Sequence, residues 1–97
     1  MAAEVLVHFV ESGYCNLSGA SDIPSGEGRN FSAEFSVPFP STPSVMLTPH
    51  YTESAPSWVG EFSVGVIEKT TTGFSARCIN NGSDSHHIAG VYWLAVL

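Results

Sequence analysis

Apolar and polar residues alternate with a period of two along much of this chain, and no window long enough to trust shows helical spacing. In the clearest run, residues 31–37 (FSAEFSV), Phe31, Ala33, Phe35 and Val37 fall on one face and Ser32, Glu34 and Ser36 on the other. That is the pattern of a half-buried antiparallel strand. The run 61–68 repeats it, with Phe62, Val64 and Val66 opposing Glu61, Ser63 and Gly65. In 74–79, Phe74, Ala76 and Cys78 oppose Ser75, Arg77 and Ile79. Three further strands are expected at Glu4 to Val10, over residues 44–51 (SVMLTPHY), and at His87 to Val96, which is dense in Ile, Val, Tyr and Trp.

The connections have their own signals. Residues 11–29 read as a long polar, Gly-rich loop, and long loops in small domains are often functional. Pro38, Pro40 and Pro43 form a rigid link, and Pro49 sets the far end of its run at an edge or bulge. The tract KTTTG is a hairpin turn in which Gly73 supplies a permissive backbone. Six strands separated by such turns predict an all-β chain, a six-stranded antiparallel β-sandwich forming one domain over residues 1–97.

Composition narrows the partners. A chain of 97 residues builds a thin core, so a disulfide or an oligomer interface is expected to supplement it. The formal charge is −6 with only Arg29, Lys69 and Arg77 basic, which excludes a phosphate-rich partner, so no nucleic acid is expected. No stretch of about 18 apolar residues occurs, so no membrane span is predicted. The N-terminal MAAEVLVHFVESG lacks a basic region and is not read as a signal peptide. Low charge and few lysines favour an extracellular or virion-surface setting. Cys15 and Cys78 allow either one intrachain pair, closing a loop of about 60 residues, or two buried thiols.

No cofactor or metal is expected. His86 and His87 are adjacent, so on a strand they would face opposite ways, and NNGSDS lacks the alternating acids of a calcium loop. No nucleophile elbow or comparable frame marks an enzyme. The stretch Asn80, Asn81, Asp84, His86, His87 instead suits a neutral polyol, with amides and carboxylates meeting hydroxyls and rings meeting sugar C–H faces.

TGFSARC, followed by fourteen residues and then WLAVL, together with FSVPFPSTPSVML and VESGYC, resembles the H-type lectin domain of snail agglutinins and of the second domain of discoidins. The resemblance runs in order over nearly the whole chain. It implies a six-stranded sandwich, a homotrimer with hexamers as a further assembly, GalNAc- or galactose-type glycans bound between protomers, and a Cys15–Cys78 disulfide. The family's Gly and Asp on the N-terminal loop fall near Gly26 and Glu27. Its sugar-contacting Arg falls on Glu61, its Trp-His pair on Asn81 and Gly82, and its following Tyr on His87. Asp84, His86 and His87 would then help to rebuild a different sugar pocket. Two functions follow as expectations: a multivalent glycan-binding lectin, or a structural trimerisation and attachment module such as a viral or phage fibre tip that binds no free sugar. The faces bearing Phe9, Tyr92 and Trp58 are the ones expected at a trimer interface.

Overall fold

The computed structural model describes residues 9–17, 22–51, 58 and 60–97. Six strands run β1 (Val10–Asn16), β2 (Gly28–Glu34), β3 (Ser44–His50), β4 (Phe62–Lys69), β5 (Gly73–Asn80) and β6 (Gly90–Val96). They form two three-stranded antiparallel sheets, ordered β1-β6-β3 and β2-β5-β4. The expected all-β sandwich is therefore the observed architecture.

The core lies where the inner faces meet. Phe31, Phe62, Phe74, Ala76 and Cys78 come from one sheet and Val91, Trp93 and Ala95 from the other, all buried. Phe35 closes one end, its ring 5.7 Å from Trp93 and 6.2 Å from Phe74, while Phe74 meets Trp93 edge-on at 5.4 Å. Burying each such side chain contributes about 1.5–3 kcal/mol, and an edge-to-face pair adds about 0.5–1.5 kcal/mol.

Several elements differ from expectation. The strand expected at Glu4 to Val10 lies mostly outside the described residues, and β1 instead occupies the start of the stretch read as loop. Its alternation is real but hidden, because the inward positions are Glu11, Gly13 and Cys15 rather than large hydrophobes. A Cβ on Gly13 would overlap the indole of Trp93, so the glycine makes room for the ring. The Glu11 carboxylate accepts hydrogen bonds from the Ser36 N–H at 3.0 Å and the Ser36 hydroxyl at 2.9 Å.

The strand expected over 31–37 begins earlier and ends at Glu34. The Phe35 and Phe39 amides then bond to the carbonyls of Thr72 and Thr71, and Val37 is 53% exposed. Gly73 does not use a left-handed backbone, since the positive-φ glycines are Gly26 and Gly60. It is small because a Cβ there would come within 2.5 Å of the Ala33 carbonyl oxygen. Pro49 does sit in an edge strand, where its missing N–H breaks no central ladder.

The implied Cys15–Cys78 disulfide is not formed, and both cysteines are free thiols. Cys15, on edge strand β1, directs its Sγ at the Ser32 carbonyl 3.7 Å away on β2. Cys78, on the central strand of the opposite sheet, is fully buried. Burial pushes both thiols above their ordinary pKa; at Cys78 backbone hydrogen bonding and the charges of Arg29 and Arg77 oppose that rise. A raised thiol pKa leaves less thiolate, so both sulfurs are held in their less reactive form.

Candidate functional site

Three connections converge at one end of the sandwich: residues 22–27 before β2, Trp58, Gly60 and Glu61 before β4, and residues 81–89 between β5 and β6. Backbone bonds knit them together. Gly26 N–H donates to the Asn80 carbonyl at 2.8 Å, Asn80 N–H to Glu27 at 2.9 Å, and Asn81 N–H to Glu61 at 2.8 Å. Ile23 and His86 form an antiparallel bridge, and Ile23 and Ile88 are buried in the core. Gly26 occupies a tight turn at φ +79°, closed by the Glu27 N–H on the Pro24 carbonyl at 3.1 Å. An L side chain rarely adopts that conformation.

Asn80 holds the loop from within. It is wholly buried, and its Nδ2 donates to the carbonyls of Ile23 and Asp84, each at 2.8 Å, while its Oδ1 accepts the Gly82 N–H at 2.8 Å. The Ser25 hydroxyl donates to the Gly82 carbonyl at 2.5 Å. Around this clamp stand the exposed groups. Asn81 Nδ2 donates to the Ser63 hydroxyl at 2.8 Å, and His87 Nδ1 lies 2.9 Å from Asp22 Oδ1. Asp84 contributes its backbone carbonyl to the clamp, and the residue is exposed.

The most distinctive group is Trp58, Glu61 and His86. The Trp58 and His86 rings stack at 4.4 Å with only 7° between their planes. His86 Nε2 lies 3.9 Å from Glu61 Oε2, an ion-pair distance when the imidazole is protonated but too long for a hydrogen bond. Glu61 Oε2 and Trp58 Nε1 are both shielded and without a hydrogen-bond partner. A Cβ on Gly82 would run into the Glu61 carboxylate, so the glycine is what lets Glu61 lie there.

All seven residues read from the sequence as sugar contacts, Gly26, Glu27, Glu61, Asn81, Gly82, Asp84 and His87, are thus gathered at this end. Trp58, Asp22 and Ser25 belong to it as well and were not singled out as contacts. The two histidines diverge, one to Trp58 and the other to Asp22. A shallow depression of about 290 Å³ lies at the opposite end, over the turn between β4 and β5, lined by Ser32, Glu34, Glu68, Thr70 and Thr72 among others. Among the described residues, the buried, unpartnered polar atoms lie at the loop end instead.

Residues 30–96 match the family model of the H-type lectin domain. Among solved structures, the N-truncated R1-type pyocin tail fibre shares the fold with a TM-score of 0.68 at 18% identity, over 91% of this chain and 69% of that one. No curated protein matches the chain.

Proposed function

We propose a function for a chain that belongs to the H-type lectin family: it binds glycans of the galactose or GalNAc type, or related ones, at sites repeated around a homotrimer, outside the cell or on a virion surface. The observation that carries this reading is the convergence of three loops on the Asn80 clamp. Glu61, Asn81, Gly82 and His87, onto which the family resemblance carries sugar contacts, stand around that clamp with Asp84 beside them. Hydroxyls, amides and carboxylates there suit polyol hydrogen bonding, and the Trp58–His86 stack offers an apolar wall for a sugar ring. Repetition in a trimer turns weak single sites into useful avidity.

A second reading is a structural fibre module. Its support is the fold shared with a pyocin tail fibre and the replacement of the family's Arg, Trp and His by Glu61, Asn81 and Gly82. A broad glycan array probed with the purified oligomer separates the two. Specific signals that fall at least tenfold in Asp84→Ala and His87→Ala are the expected result for the lectin. A stable trimer that stays silent on the array selects the fibre module.

A further inference from the structure

Resting on the lectin reading of this same loop end, we infer that the preferred glycans carry free amines: Glu61 receives the ammonium of a de-N-acetylated hexosamine. The charge at this end points that way. Asp22, Glu27, Glu61 and Asp84 surround the loops, no lysine is among them, and the nearby Arg29 turns its guanidinium onto the Gly28 carbonyl at 3.0 Å. Glycans bearing carboxylates would be repelled there, while cationic ones are attracted.

Glu61 supplies the specific contact. Where the resemblance implies an arginine, a group that only donates hydrogen bonds, this chain has a carboxylate that only accepts them. Its Oε2 is shielded and unpartnered, its side chain as a whole is 36% exposed, and His86 Nε2 lies 3.9 Å away. A partly desolvated carboxylate with no donor is unfavourable, and a ligand ammonium placed against it supplies both the charge and the protons. Gly82 lies against the shielded Oε2, so the ammonium meets the carboxylate from the exposed part of the side chain. The stacked Trp58–His86 pair flanks the carboxylate as a flat surface for the sugar ring. An N-acetyl group would replace the ammonium with a neutral amide and forfeit the charge-assisted bond, a difference of about tenfold in affinity.

The test is calorimetric titration of the purified oligomer with disaccharides of galactosamine and glucosamine, their N-acetylated forms, and a uronate-containing disaccharide. Glu61→Gln and, at the far end of the sandwich, Glu34→Gln are run beside it. Glu61 Oε2 accepts no hydrogen bond, so the isosteric Gln variant keeps the fold, which its melting curve verifies. We expect the free-amine forms to bind about tenfold tighter than the N-acetylated ones, with that preference lost in Glu61→Gln and retained in Glu34→Gln. Equal or tighter binding of the N-acetylated sugars overturns the amine inference and leaves the lectin reading standing. So does a preference that survives Glu61→Gln, or a simple diamine binding as tightly as the amino sugar. Binding of none of the saccharides by a folded oligomer overturns both.

Discussion

Asn80 is wholly buried, yet both polar atoms of its side chain are engaged, bridging Ile23, Gly82 and Asp84. Truncating it to alanine would strand the Gly82 N–H and the Asp84 carbonyl, while the Ile23 carbonyl keeps the His86 N–H at 3.3 Å, and leaving such groups unsatisfied costs about 1–3 kcal/mol apiece before relaxation and water entry. For Asn80→Ala we therefore expect a net loss of about 2–4 kcal/mol in urea unfolding; a loss below about 0.5 kcal/mol would show that the clamp is not energetically important. Asn80 continues the inward set Phe74, Ala76, Cys78, yet it was read as part of the polar loop, because an asparagine beside Asn81 and Gly82 reads equally well as the start of a solvent loop. The same limit hid the Trp58–His86 stack: two residues on different connections meet only once the sheets are paired, and neither lies in a local motif. Glu61 and Gly82 were identified through the family resemblance alone, and their mutual contact is visible only in the structure.

Strands with large hydrophobes at every second position were found, β5 most plainly, buried at Phe74, Ala76 and Cys78, although the run 31–37 leaves the sheet after Glu34. β1 was missed because its inward positions are filled by what the opposing side chains need. Gly13 leaves space for Trp93, and Glu11 reaches the Ser36 amide and hydroxyl. Hydrophobicity alone cannot reveal a strand whose inner face is complementary rather than greasy. A direct consequence concerns Gly13→Ala. Its methyl would collide with a rigid indole that is only 7% exposed, and overpacking of this kind costs about 1–3 kcal/mol. A domain of this size should then melt roughly 5–20 °C lower, with a shift in Trp93 fluorescence. An unchanged melting temperature would mean that β1 can move away from Trp93 at no cost.

Across the whole molecule, charge and apolar surface are segregated. The outer face of the β1-β6-β3 sheet carries Val10, Ser12, Tyr14 and Asn16 on β1, Gly90, Tyr92, Leu94 and Val96 on β6, and Ser44, Met46, Thr48 and His50 on β3, in register. None of the described acids lies on it, although the formal charge is −6. Val10, Tyr14, Met46, Tyr92 and Leu94 are all exposed there, and Tyr14, Tyr92 and His50 form one aromatic cluster with the Tyr14 hydroxyl 3.0 Å from His50 Nδ1. An uncharged, aromatic-rich face on an acidic chain is the surface on which further copies can pack without mutual repulsion. Of the aromatics expected at an interface, Tyr92 lies on this face and the exposed Phe9 adjoins the start of β1, whereas Trp58 stacks on His86 at the loop end. We therefore assign the proposed trimer contact to this sheet. A carboxylate introduced at its centre would be buried three times over without a cation to meet it, and such unpaired burial is strongly unfavourable. Tyr92→Glu, and independently Met46→Glu, should convert the trimer to monomers at micromolar concentration by analytical ultracentrifugation, with signal on a dense glycan surface falling as avidity is lost. A trimer that persists in both variants would move the contact to another face, and a wild-type chain that sediments as a monomer would remove the multivalent reading altogether.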